Sequence, residues 1–140
     1  FLMVVVVIDL ENQIIPDNFV YILLVITYFL VLATSSDIYV HLAAGFASAS
    51  FLILINLLTK GRGMGLGDVK FALFGGTLLG SLSIIWIFLS FLTGALVGII
   101  LILMGKTSFG RHIPFGPFLA FSLIVTLIWG EEIILLIGLV

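Results

Sequence analysis

Three aspartates carry the chemistry this sequence offers. Asp9 and Asp17 bracket the connector Asp9-Leu-Glu-Asn-Gln-Ile-Ile-Pro-Asp17, and Asp68 ends the glycine-dense stretch Thr59-Lys-Gly-Arg-Gly-Met-Gly-Leu-Gly-Asp68, two residues before Lys70. Two carboxylates that meet in a low-dielectric site cannot both ionise easily; they share a proton, so one acts as base and the other as acid toward a water. That is the chemistry of aspartyl proteolysis. Serine or cysteine catalysis finds no support, because the chain has no cysteine and neither His41 nor His112 stands beside a convincing nucleophile. Two separated histidines without a His-Glu-x-x-His pattern fall short of a metal site, so no metal or other cofactor is expected.

The stretch that delivers Asp68 has glycine at every second position: Gly61, Gly63, Gly65 and Gly67. Each glycine weakens a helix relative to alanine by about 0.8–1 kcal/mol, so the spacing predicts an irregular or extended loop with a helix resuming near Val69. Around Gly65 and Gly67 an extended peptide could lie against the backbone, much as a strand adds to a sheet edge. The phosphate-binding loop is excluded for want of a Gly-Lys-Ser/Thr ending, and the dinucleotide fingerprint because Leu66 or Asp68 stands where glycine is required. The structural alternative is a tight turn whose aspartate caps a helix. Lys70 could tune Asp68, orient a substrate carboxylate, or simply snorkel to lipid headgroups.

The elements that must position these residues are membrane helices. Hydrophobic residues make up 63% of the chain and charged residues 9%, against roughly 25% charged in ordinary soluble domains. The mean hydropathy is +1.47. The expectation is an all-α, polytopic bundle of about six spans at roughly 20 residues each. It forms a single membrane-embedded domain over residues 1–140. The first span ends at Ile8 and reads as truncated, since the chain opens on Phe1 inside an apolar run with no basic n-region or cleavage site. Further spans are expected at about 19–33, 38–58, 69–79, 82–104 and 118–129, with a tight reversal at Gly80-Ser81. Glu131 and Glu132 separate the last span from an apolar tail of ambiguous place. Gly76-x-x-x-Gly80 and Gly94-x-x-x-Gly98 suit close helix packing. His41 and Asn56 suit interhelical hydrogen bonds, and Trp86 and Trp129 suit packing or the lipid interface.

Charge orients the bundle. All five basic residues, Lys60, Arg62, Lys70, Lys106 and Arg111, lie in or beside two loops that fall on one face, which the positive-inside rule makes cytoplasmic. The same span order brings Asp9, Asp17 and Asp68 to that face and Asp37 to the other. Ionisable residues at membrane depth are functional candidates by default. Nothing in the distribution of charge points to nucleic acid, and the oligomeric state is not legible. On the residues alone, Asp9 and Asp17 remain alternative partners for Asp68. Asp17 after Pro16 has a ready capping role at the start of a helix. Asp9 opposes the dipole at a helix C-terminus and so needs another reason to be there.

Three motifs in order, Val-Ile-Asp9-Leu-Glu-Asn-Gln-Ile-Ile-Pro-Asp17, Gly-Leu-Gly-Asp68-Val-Lys70 and Ile-Pro-Phe-Gly-Pro-Phe-Leu-Ala120, resemble the catalytic domain of the type IV prepilin peptidases, membrane aspartic proteases of the Gly-x-Gly-Asp type. The resemblance covers Asp9 to about Ala120. The presenilin and signal-peptide-peptidase proteases share Gly-x-Gly-Asp, but their Tyr-Asp pair and Pro-Ala-Leu element are not found here. By position, the resemblance implies Asp9 and Asp68 as the catalytic pair and Asp17 as a supporting residue; Gly65, Gly67 and Lys70 are the further substrate-binding or supporting candidates that the residues themselves offer. It implies cleavage of prepilin or pseudopilin leaders after a glycine, by a multi-pass protein of the inner (cytoplasmic) membrane. The paired Cys-x-x-Cys motifs that bifunctional members carry, associated with N-methylation, have no counterpart in these 140 residues.

The rival reading is a proton- or cation-coupled transporter whose intramembrane carboxylates bind the ion. It calls for paired broken helices in repeated halves, and no second copy of the glycine loop exists. A noncatalytic scaffold would leave the aspartate-bearing loops unexplained. The topology is tested by single-cysteine labelling at Arg62 and Thr107 in this cysteine-free chain. Both positions should label from the cytoplasmic side, and labelling from opposite sides would overturn the span order.

Overall fold

The computed structural model describes residues 17–34, 37–61, 64–105 and 115–137. Its apolar runs fold as five helices: α1 (Asp17–Thr34), α2 (Ile38–Leu58), α3 (Leu66–Leu79), α4 (Ser83–Leu103) and α5 (Gly116–Ile137), with a single 3₁₀ turn (Gly80–Leu82) between α3 and α4. Among the described residues there is no strand. Three stretches are long and apolar enough to cross a membrane: Ile38–Leu58, Leu66–Leu103 and Gly116–Leu136. Val20–Thr34 forms a shorter apolar helix. The all-helical expectation holds. A count of six spans is not established by these helices, and the expected first span lies outside the described residues.

Leu66–Leu103 is not one rod. Gly80 adopts φ 58°, ψ −126°, a conformation open to glycine and strained for other residues. Beyond it Trp86 returns to lie against Gly75 and Phe71, so the chain reverses where the sequence predicts. Two boundaries differ from expectation. Helix α3 starts at Leu66, not near Val69, because glycines in a first turn sacrifice little and Asp68 ties that turn to the preceding residue. Helix α5 continues through Glu131 and Glu132 to Ile137, since glutamate is a good helix former and both side chains are exposed.

The outer surface is apolar and the interior holds small polar residues, the reverse of a water-soluble bundle. Tyr39, Ile84 and Leu103 are exposed, while Ser48, Thr77, Ser90, Ser122 and Thr126 are buried. Helices in lipid associate through small residues and hydrogen bonds because apolar burial gives no preference over the acyl chains. The seam between α2 and α3 illustrates this. A Cβ on Gly76 would stand 2.7 Å from the Ala44 carbonyl oxygen and 2.9 Å from the Gly45 Cα, and a Cβ on Gly45 would collide with the Thr77 hydroxyl. At the same seam, His41 Nδ1–H donates to the Thr77 carbonyl at 2.9 Å.

Trp86 fills the centre. Its ring is fully buried over Gly75, and Nε1–H donates to the Leu119 carbonyl at 2.9 Å, tying α4 to α5. An aromatic row carries on from there: Phe91 of α4 lies 6.0 Å from Phe51 of α2 and 4.9 Å from Phe115, at the entry to α5. Helix α5 therefore starts beside the middle of α4 and not beside its end.

Gly76→Ala should destabilise the protein by about 1–3 kcal/mol, because backbone atoms of Ala44 and Gly45, besides the Ser48 hydroxyl, block the new methyl. Gly94→Ala, whose Cβ would meet the Phe115 ring edge at 3.3 Å, should cost less. Thermal unfolding in detergent checks the order, and equal costs would contradict the α2–α3 seam.

Candidate active site

Asp68 is placed by a chain of local bonds that begins at the end of α2. Thr59 closes that helix with its hydroxyl on the Ile55 carbonyl at 2.8 Å. Lys60 (φ 53°) and Gly61 (φ 74°) then turn left-handed. The Gly61 N–H donates to Asn56 O at 2.8 Å and the Lys60 N–H to Leu57 O at 3.1 Å, the paired bonds of a Schellman cap. Asn56 acts a second time: its side-chain amide donates to the Met64 carbonyl at 2.5 Å. Met64 is itself buried in the core with Val20 and Phe71. The descent from α2 to α3 is thus pinned at both ends.

Gly65 follows in extended conformation (φ −77°, ψ 153°) as the N-cap of α3, and its N–H donates to Asp68 Oδ2 at 3.1 Å. Asp68 lies in the first helical turn, 6% exposed, where the positive end of the helix dipole favours a carboxylate. The capping alternative is therefore observed in the N–H bond from Gly65. It leaves Asp68 oriented at the buried start of a helix and is compatible with chemistry there. Gly67 sits in the same first turn, half-buried, while Gly65 is exposed. The alternating glycines do not form one ribbon, since Gly61 belongs to the cap of α2 and Gly67 to α3.

Asp17 is the first residue of α1. Helix α1 packs along α3, and the Lys70 ammonium stands 6.0 Å from the centroid of the Tyr21 ring. Tyr21 is one turn beyond Asp17, and Lys70 one turn into α3, so the two helices start at the same end of the bundle. Asp9 lies outside the described residues, as do Lys106, Arg111, His112 and Pro114. Among the described residues no group of three His, Cys, Asp or Glu side chains is placed to hold a metal. Sequence reasoning missed Tyr21, although its position one turn from Asp17 was a usable signal. It also missed that Met64 is an anchor.

A sequence profile described as the type IV leader peptidase family matches residues 1–99, a segment that contains Asp9, Asp17 and Asp68. Among curated proteins, the chain is 35% identical over 135 residues to one named prepilin leader peptidase/N-methyltransferase from Stutzerimonas stutzeri. It is 35% identical over 136 residues to a protein of that name from Legionella pneumophila, and 30% over 141 residues to one from Bacillus subtilis (strain 168). These alignments cover 90%, 91% and 95% of this chain but 46%, 46% and 54% of those proteins. The chain spans about half the length of the curated relatives it matches. No solved structure matches it. Apolar helices and these relatives together make it an integral membrane protein.

Asn56→Ala would strip the Met64 carbonyl of its side-chain donor, at a cost of about 1–3 kcal/mol where the group stays buried. Local opening should follow before global unfolding. Hydrogen exchange at the Gly65 N–H should accelerate in that variant while Trp86 and its surroundings keep their protection. Unchanged exchange at Gly65 would show that Asn56 does not hold the loop.

Proposed function

The chain belongs to the type IV leader peptidase family, and on that premise we propose that it is the catalytic membrane domain of an aspartic endopeptidase. It cleaves the leader of type IV prepilins or prepilin-like pseudopilins near the cytoplasmic face of the inner membrane. The observation that supports the reading most is the buried Asp68, held at the start of α3 by the Gly65 N–H, inside the segment matched to that family. Its partner is Asp9. The transporter reading has no support from the relatives, which are named as peptidases.

In this reading one carboxylate of the Asp9–Asp68 pair is ionised and the other protonated, with a water between them. The ionised carboxylate takes a proton from the water as its oxygen attacks the scissile carbonyl, and the protonated one donates to the carbonyl oxygen. Collapse of the tetrahedral species breaks the C–N bond as one of its hydroxyls returns a proton to the second carboxylate, and the proton held by the first carboxylate passes to the leaving amine. Asp68 keeps its orientation through the cycle because the Gly65 N–H engages Oδ2. Asp17 supports from the start of α1. Gly65 and Gly67 let the substrate backbone come close, and Lys70 supplies a positive charge at the same end. The acids of the connector, Asp9, Glu11 and Asp17, attract a basic leader.

Cleavage of prepilin by single variants at matched membrane levels tests the assignment. Asp9→Asn and Asp68→Asn should each lose roughly 10²–10⁴-fold in activity, the range of a positioned acid or base. The double variant should be no worse than either, since the pair acts as one unit. Asp17→Asn should retain measurable activity. Substantial activity in Asp9→Asn with complete loss in Asp17→Asn would move the first catalytic carboxylate to Asp17.

A further inference from the structure

Lys70 is a cation one turn into a membrane-embedded helix, and a lysine there ordinarily stretches its stem to carry the ammonium to the nearest headgroups. Here the ammonium stands over the ring of Tyr21, 6.0 Å from the centroid, at the outer range of a cation–π contact. Residues two apart on a helix do not share a face, so Lys70 turns toward α1 while Asp68 turns inward. Tyr21 is half-exposed, and what it presents to the lysine is ring face. Its place one turn beyond Asp17 sets the ammonium at the level where α1 and α3 both begin.

We infer that Tyr21 is a positioning residue: its ring is one of the groups that hold the Lys70 ammonium at the end of the bundle where α1 and α3 begin, so that its charge offsets the carboxylate of Asp68 at the start of α3. The role of that charge in catalysis rests on the peptidase reading above; the pairing itself does not. A ring face attracts a cation through its quadrupole, so phenylalanine should replace tyrosine here, leucine should not, and stepwise fluorination should weaken the hold in proportion to the electron density withdrawn.

Two measurements on the full-length protein separate the pairing from the activity. In the first, the rate at which an N-hydroxysuccinimide acetate modifies Lys70 in membranes is followed by peptide mass spectrometry. Tyr21→Phe should label at the unaltered rate and Tyr21→Leu roughly 2–5-fold faster, the ratio set by an exposed cation–π contact. Mono-, di- and trifluorophenylalanine at position 21 should fall in order between them. In the second, prepilin cleavage should be preserved in Tyr21→Phe. Tyr21→Leu should lose kcat/KM to the same degree as Lys70→Met, and the two changes together should lose no more than either. Equal labelling of the phenylalanine, fluorinated and leucine variants, with cleavage intact in the unaltered protein, would overturn the pairing and leave the peptidase reading standing. The graded labelling with no cleavage by the unaltered protein would do the opposite. Graded labelling with full cleavage in Tyr21→Leu would overturn the positioning role.

Discussion

The approach of α2 to α3 at Gly45 and Gly76 is the constraint on which the rest depends. With no side chain between them, the two backbones come close enough that Ala44 O and Ser48 Oγ occupy the space a Cβ would need. That contact fixes the register of α3 against α2, and His41 on the Thr77 carbonyl locks the far end of the same seam. At the other end Asn56 reaches Met64, so the loop to α3 closes over a distance the seam has already set. Asp68 has its position because these three contacts leave the start of α3 only one place to be.

The position has a depth. Helix α3 has 14 residues and α4 has 21, which at 1.5 Å per residue makes α3 about 21 Å long and α4 about 32 Å. A hydrocarbon core is about 30 Å thick, so α4 matches it and α3 falls short. Measured from their common turn at Gly80, the start of α3 is recessed below the level that α4 reaches. The entry to α5 is recessed as well, since Phe115 packs on Phe91 and Gly94 midway along α4. A carboxylate at such a place is buried within the protein below the end of α4 and satisfies its oxygen through the Gly65 N–H and the helix dipole. In the proposed function, water then reaches a bond that would otherwise lie among acyl chains.

Much of this was legible in the residues. Helix α2 begins and ends where Asp37 and Thr59 bracket its apolar run, and the reversal at Gly80 was marked by the only glycine-serine step between two apolar segments. The start of α3 was not, because counting glycines against a helix ignores that first-turn N–H groups have no intrahelical partner to lose and that Asp68 supplies one. Contacts between distant residues, Trp86 with Leu119 and Lys70 with Tyr21, leave no trace in local periodicity. Of the candidate site, Asp68 could be named from its glycines and its charge alone. The choice of Asp9 over Asp17 came only from the resemblance, and Asp9 lies outside the described residues.

In the proposed peptidase, Asp9, and not Asp17, faces Asp68 across a single water. The chain has no cysteine, so paired substitutions Asp9→Cys with Asp68→Cys and Asp17→Cys with Asp68→Cys can be compared directly in membranes with a bifunctional thiol reagent of the shortest spacer. With that pairing the first pair should cross-link rapidly and the second slowly or not at all. Rapid cross-linking of the second pair, with none of the first, would contradict it.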